Sequence, residues 1–380
     1  MKFLLLFPDG IGLRNFVLTR FLSLLCEKDN VVIWHALLER AIQADLKNCA
    51  AKVRWTALPY HHEGHLPFLF RRAKLLAQLH WQEEPGTDMV LSQSVGKGTG
   101  IYRLRNQTAE ALGRICGRSH SQILWLNHVH AHWVERQPYF KSYLAFLEKE
   151  KPDIMFCSHQ RSEIAVPAML AARKLGIPTA TFIYSWDNLP KGRMAVYADY
   201  FLVWSQHMQD EMLQYYPDIA ADRIFIVGTP QFEHYFNSEN LEPRETFLRR
   251  HDLDPVRPVV CFSGDDIATS PHDPDYLEDL ALALERFPKE TRPQILFRRT
   301  PTDVSGRYEA VLKRRPEIVG VEPAWINLAD NDWTKVIPTN EDVRLLVNTV
   351  KHSDFVVNVG STMALDFAIN HKPAIYLAYN

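Results

Sequence analysis

The chain opens on an unbroken apolar run, MKFLLLF, of strand length. A short polar stretch with two glycines follows, PDGIGLRN, and then FVLTRFLSLLCEK, whose apolar positions recur at helical spacing. NVVIWHA and KVRWTAL are two more strand-like runs. Strands joined through helices predict a parallel sheet, because parallel neighbours need a long crossover. The runs are apolar at successive positions, as expected of strands covered on both faces. The same alternation resumes with PDIMFCSH (strand), EIAVPAMLAARKLG (helix ending at Gly176), IPTATFIYS, ADYFLVWS and DRIFIVGTP (strands).

A polar, proline-containing segment from Gln231 to Pro258 then interrupts the pattern. Beyond it a second series begins: PVVCFSGDD, helix PDYLEDLALALERF, strands PQILFRR, EIVGVE and TKVIP, helix NEDVRLLVNTVKHS, and finally DFVVNVGSTMALDFAINHKPAIYL. The pattern predicts an α/β protein of two Rossmann-like domains facing each other across a cleft, residues 1–240 and 250–380. The chain stops directly after a strand-like run, PAIYLAYN. A domain of this kind commonly continues, so a truncated second domain lacking its last helix is expected. Residues 64–124 depart from the alternation. They are helical in pattern and basic, with Arg71, Arg72, Lys74, Lys97, Arg103, Arg105, Arg114 and Arg118 against Glu83, Glu84, Asp88 and Glu110, about +4. With Phe68, Phe70 and Trp81 nearby, this insertion can rest on an anionic membrane surface, or be a solvated helical layer.

Composition narrows the class. At 380 residues, 46% hydrophobic and 23% charged, the chain reads as globular with more than one core. A net charge of −2 argues against a nucleic-acid binder. Cys26, Cys49, Cys116, Cys157 and Cys261 are scattered, with no CxxC pair, which reads as reduced thiols in a cytoplasmic protein. The apolar start is ended by Pro8, Asp9 and Gly10, too early for a signal peptide.

In parallel sheets ligands bind beyond the C-terminal strand ends, so the residues there are the candidates. After DFVVN come Gly360, Ser361 and Thr362 at a helix start, where N–H groups and the dipole favour a phosphate or diphosphate, and Asp366 one turn on, suited to sugar hydroxyls. A plain N-cap is the competing reading. After the first strand of the second domain come Ser263, Gly264, Asp265 and Asp266. Adjacent acids in extended chain point apart, so no metal site is expected of them. Arg298 and Arg299 end PQILFRR; one of them can pair with a diphosphate. Trp186, Asp187 and Asn188 follow IPTATFIYS as a sugar-binding group, a ring to stack and polar groups for hydroxyls. In PDGIGLRN, Asp9 is a candidate base, and Arg14 and Asn15 candidate substrate ligands. The loop is no full dinucleotide fingerprint, since Asn15 stands where the third glycine belongs and His35 where an acid would follow. His159 ends a strand and is a second candidate base. His128, His130 and His132 alternate and would share a face on a strand. A zinc site needs about four converging ligands, and no supporting cysteine or acid cluster stands beside them or beside His61, His62 and His65.

SWDNLPKGR, FLVWSQHMQDEM, RIFIVGTPQFEHY and VVNVGSTMALDFAINHKPAIYL resemble segments of GT-B glycosyltransferases of bacterial surface-polysaccharide and lipopolysaccharide biosynthesis. The last is also similar to the donor-site segment of CDP-glycerol glycerophosphotransferases. The resemblance covers Asp153 to Asn380 well and the first strand and loop moderately; the basic helices match no named family. It implies a nucleotide-activated donor on the second domain, with Ser361 and Thr362 on the diphosphate, Asp366 on donor hydroxyls, and Gly264 and Arg298 lining the same crevice. The first domain would hold a glycan or lipid-linked acceptor, with Asp9 or His159 as base if the reaction inverts; the basic helices are the part suited to the inner membrane face. No metal or further cofactor is implied, because helix N-termini and arginines neutralise the leaving group. Two rivals remain: a nucleotide-sugar epimerase on the same fold, and a non-catalytic binding protein of an assembly pathway.

Overall fold

A computed structural model describes residues 1–36, 53–59, 61–82, 87, 91, 100–267, 269–301, 303–327 and 336–379. Cys49, Glu83, Glu84, Asp88 and Lys97 lie outside the described residues. The chain forms two compact units, Met1–Thr229 and Pro230–Asn380.

In the first unit, strands β1 (Lys2–Phe7), β2 (Asn30–His35), β3 (Val53–Ala57), β4 (Ile154–Cys157), β5 (Thr179–Phe182), β6 (Tyr200–Val203) and β7 (Ile224–Ile226) form one parallel sheet in the order β3-β2-β1-β4-β5-β6-β7. The chain starts at β1, runs outward to β3, and returns to β4 on the other side of β1. The strand order therefore reverses between β1 and β4, whose register pairs Phe3 with Ile154 and Leu6 with Cys157. The helices are α1 (Gly10–Phe16), α2 (Arg20–Lys28), α3 (His65–Gln82), α4 (Gly100–Cys116), α5 (His120–Glu135), α6 (Phe140–Glu150), α7 (Val166–Lys174) and α8 (Gln206–Tyr215). Leu4, Leu6, Trp34, Met155 and Cys157 are buried against α6 and α7, which explains the strands' successive apolar positions.

In the second unit α9 (Arg244–Arg250) packs beneath the sheet through Phe247 and Leu248, so much of the polar segment Gln231–Pro258 belongs to this unit. Strands β8 (Val259–Ser263), β9 (Gln294–Arg298), β10 (Ile318–Gly320), β13 (Phe355–Asn358) and β14 (Ala374–Tyr376) lie parallel in the order β10-β9-β8-β13-β14. Here the order reverses between β8 and β13. Helices α10 (Asp273–Leu284), α11 (Glu309–Arg314), α12 (Asn340–His352) and α13 (Met363–Ala368) complete the unit.

Three local expectations change. TKVIP is not a member of the parallel sheet: β12 (Val336–Ile337) pairs antiparallel with β11 (Ile326–Asn327) in a separate ribbon. PDGIGLRN is not a loop: Asp9 caps α1, its carboxylate accepting from the Gly12 N–H at 2.9 Å. NHVHAHW lies on α5, and at 100° per residue His130 points away from His128 and His132, so the three share no face. The cysteines Cys26, Cys116, Cys157 and Cys261 are free and buried. No helix among the described residues is long and apolar enough to cross a membrane.

Candidate functional site

In the first unit, the reversal between β1 and β4 gathers the polar residues that follow three adjacent strands. Asp9 follows β1, His159 follows β4, and Tyr184 follows β5. Phe16 anchors α1 by packing edge-on against Phe156 of β4 and Phe182 of β5, with ring centroids 5.0 and 5.1 Å away. Gly12 lies against β4's extension, where a Cβ would meet Ser158 Oγ at 2.4 Å. This glycine is dictated by packing of α1 on the sheet, which is why the glycine pair looked like a loop. So held, Asp9 uses Oδ1 for the Gly12 N–H and Oδ2 for His159 Nδ1, at 2.6 Å. Both side chains are buried. Tyr184 stacks on the imidazole with centroids 3.9 Å apart and planes within 15°. Burial pushes the Cys157 thiol up to about 12, which leaves it no role as a thiolate near neutral pH.

The neighbouring loops are tied to this pair. Gln160 accepts the Tyr184 N–H on its side-chain oxygen at 2.9 Å, and its amide reaches Asn188 Oδ1 at 3.3 Å. Asn188 in turn donates to Asp187. Although burial opposes it, the Lys191 ammonium on Asp187 holds that carboxyl below its ordinary range. Trp186 is exposed beside them. Asn15 is buried and accepts from Arg14 Nε at 3.1 Å. The structure thus gathers Asp9, Arg14, Asn15, His159 and Trp186–Asn188 at the same end of one sheet.

In the second unit, the loops after β8 and β13 meet. Ser263 Oγ bonds Ser361 Oγ at 2.9 Å, and the Asp265 carboxylate accepts from the Gly360 N–H at 2.9 Å. Asn358 accepts from the Ser361 N–H, and Ser361 Oγ from the Met363 N–H. Side chains thus already serve much of the backbone that the Gly-Ser-Thr pattern offers an anion. Asp266 turns the other way, onto Thr269. Among the described residues no three acidic, histidine or cysteine side chains gather as a metal site would require. Gly264 and Gly360 differ. A Cβ on Gly264 would strike Tyr308 Oη at 2.5 Å, whereas one on Gly360 would meet only Thr269 Cγ2, at 3.8 Å. The protein's own packing therefore demands glycine at 264 and leaves space at 360. Asp366 is buried in the first turn of α13. Arg298 stands apart from this group: its guanidinium is buried on Asp342, Nη2 reaching both carboxylate oxygens at 2.8 and 3.0 Å.

No family model matches the chain, and no curated protein matches its sequence. Solved structures share its fold. A putative UDP-N-acetylglucosamine 2-epimerase from Listeria monocytogenes matches with a TM-score of 0.54 at 12% identity, over 100% of this chain and 79% of that one. S. aureus MnaA, solved with UDP, matches at 0.53 and 10%, over 99% and 79%. A glycosyltransferase from Rickettsia africae matches at 0.50 and 12%, over 99% and 80%. At such identities the likeness shows the fold, the paired Rossmann-like domains of GT-B proteins, and nothing finer.

Sequence reasoning passed over Gln160 and Tyr184. The signal was present, since both follow apolar strands as Asp9 and His159 do, but neither is a charged group. It also gave Asp265 no role beyond a metal ligand. Burial raises the Asp265 carboxyl to about 6 against an ordinary 3.8, the Gly360 N–H opposes this, and Asp273 and Asp266 add to it. The folded state therefore binds this proton more tightly than the unfolded chain. The stability so gained is complete below about pH 4 and lost as pH rises through about 6. Asp265→Asn is expected to abolish that loss. The melting temperature of the parent, relative to the variant, should fall between pH 4 and pH 6 and stay level above; a constant difference would refute the assignment.

Proposed function

We propose that the protein is a metal-independent glycosyltransferase. It moves a sugar or related group from a nucleotide-activated donor to a hydroxyl of a glycan or lipid-linked acceptor in surface-polysaccharide assembly. The observation that carries this reading is the buried Asp9–His159 pair at the reversal point of the first sheet, on a fold whose solved examples include a UDP complex and a glycosyltransferase. With Nδ1 held by Asp9, Nε2 is the ring atom that takes the acceptor proton. The acceptor oxygen then attacks the donor's anomeric carbon as the nucleotide leaves with the bonding electrons. Asp9 stabilises the imidazolium that forms. Such general-base assistance contributes about 10²–10⁴-fold. Arg14, Asn15, Trp186, Asp187 and Asn188 border the acceptor. Exposed Tyr102, Leu104 and Ile115 of α4 and Trp125 of α5, among Arg103 and Arg118, suit an anionic membrane surface that presents a lipid-linked acceptor.

The donor sits at the loops after β8 and β13. Its diphosphate takes the space beside Gly360 and the hydroxyls of Ser361 and Thr362, displacing Asp265 from the Gly360 N–H, while Asp366 meets donor hydroxyls. Gly264 shapes the loop, and Arg298 acts through Asp342 rather than on the phosphates. Melting the protein with UDP, GDP, CDP, CMP and dTDP tests this. A nucleotide at about 100 times its Kd stabilises by about 2.7 kcal/mol, several degrees for units of this size. The shift should be lost in Ser361→Ala and Thr362→Ala. The matching nucleotide sugar, incubated in deuterated water without acceptor, then separates the epimerase rival: deuterium in the recovered sugar favours it and overturns transfer. No shift with any nucleotide overturns the donor site.

A further inference from the structure

A cavity of about 270 Å³ lies in the helical layer of the first unit, apart from the strand-end residues described above. Its walls are faces of α5 and α7, the loop 195–197, Lys74 of α3, and Asp218, whose carboxylate is taken up by Arg193. Val166, Met169, Leu170 and Arg173 of α7 recur at i, i+3, i+4 and i+7, and so do Leu124, Asn127, His128 and Ala131 of α5. The space opens to the surface past His128, Arg173 and Asp218, which are exposed, and closes inward on the buried Lys74 and His130.

The polar groups that line it set it apart. Lys74 of α3 is 2% exposed. Its ammonium donates to the Ala195 carbonyl at 3.1 Å and lies 5.6 Å from the Tyr197 ring, and among the described residues no carboxylate forms an ion pair with it. Nearby charges are already matched: Arg71 holds Glu63 through two hydrogen bonds, and Arg193 holds Asp218 at 2.7 Å. His130 is also 2% exposed, and its Nε2 has no hydrogen-bond partner; neither has the buried Asn127 Oδ1. Removing an ammonium from water without a counter-charge is costly, and an apolar residue would fill this space better. Buried polar groups are nearly always satisfied, and here three that are not, or only partly, line one cavity.

We propose that this cavity is a second ligand site, for a small carboxylate with a compact apolar body. The carboxylate pairs with Lys74 and accepts from protonated His130. The apolar part lies against Val166, Met169 and Leu170. At about 270 Å³ the space falls just under the usual range of ligand pockets, about 300–1,000 Å³. That admits an aromatic or branched-chain acid and excludes a nucleotide. Burial, with Arg193 and Arg71 nearby, holds Lys74 well below its ordinary range; burial, with Lys74 and Arg71, does the same to His130. An arriving anion reverses that balance, so binding takes up protons. The site also touches the first unit's chemistry. Ala195 precedes Val196, whose N–H donates to the Gln160 carbonyl at 3.0 Å, next to His159.

Benzoate and its neutral isostere benzamide are the probes, used on the full chain by calorimetry and thermal melting, with inorganic phosphate as a third. Benzoate at millimolar concentration should raise the melting temperature by several degrees and benzamide should not. Calorimetry in two buffers of different ionisation enthalpy should show net proton uptake on benzoate binding. Lys74→Met, which removes the charge and keeps the bulk, should abolish the shift. Ala131→Phe, which fills the space and keeps Lys74, should abolish it too, so the test survives if one variant fails to fold. A benzoate shift unchanged in both variants, a shift equal for benzamide, or no shift in the parent overturns the site. Stabilisation by phosphate exceeding that by benzoate overturns the apolar half of the assignment.

Discussion

His159→Ala is expected to lower kcat by about 10²–10⁴-fold while leaving the affinity for nucleotide unchanged. The imidazole sits on the first unit, and the proposed nucleotide contacts are on the second. Asp9→Asn is the sharper variant. Asn caps helices as well as Asp does, so the bond to the Gly12 N–H and the position of α1 are kept. What is lost is the negative charge on His159 Nδ1, and with it the stabilisation of the imidazolium. A loss in kcat comparable to that of His159→Ala, with an unchanged melting temperature, is the expected result. Nucleoside diphosphate release from the nucleotide sugar found by melting, in the presence of acceptor, is the measurement. Full activity in either variant would remove the pair from the chemistry.

The largest effect on stability is expected at Asp342. It is 1% exposed, and its carboxylate accepts from Arg298, the Ala324 N–H at 2.9 Å and the Trp325 indole at 2.6 Å. Asp342→Ala leaves a buried guanidinium without counter-charge and two donors without acceptor. Breaking a buried pair from one side costs about 3–5 kcal/mol, a fall in melting temperature of the order of 10 °C. By contrast, the half-exposed Lys191–Asp187 pair is worth about 0–1 kcal/mol. A double variant, Arg298→Met with Asp342→Leu, should recover only part of the loss, because the Ala324 and Trp325 donors stay orphaned. Denaturant unfolding of the three proteins decides it; a single-variant loss under about 1 kcal/mol would mean that Arg298 reaches water.

The fold was legible because parallel strands buried on both faces leave uninterrupted apolar runs, and the 15 or more residues between paired parallel strands can only be crossovers. Strand ends were legible too, so Asp9, His159, Ser361 and Trp186 could be picked out one at a time. Their pairings could not. Asp9 and His159 are joined by strand order, and nothing in LLLFPDG or MFCSHQ states that β1 and β4 are neighbours. The same distance hid Asp342 from Arg298, so a strand-end arginine was assigned to a phosphate. Local signals misled where one feature has two causes. Gly12 is small because α1 packs on Ser158, not because a loop bends there. Histidines two apart read as one face on a strand and as nearly opposite faces on a helix.

One carboxylate, Asp9, divides its oxygens between architecture and the proposed reaction: Oδ1 starts a helix and Oδ2 holds an imidazole. The two duties have different substitutes. Asparagine fulfils the first and fails the second. A duplicated copy of this gene, released from its chemistry, therefore has an exit one substitution wide, along which its shape would persist while its activity disappeared. Descendants of such a copy would look alike from backbone to core. Shared ancestry in this lineage would then be a poor guide to shared turnover, and the identity of a single side chain the better one.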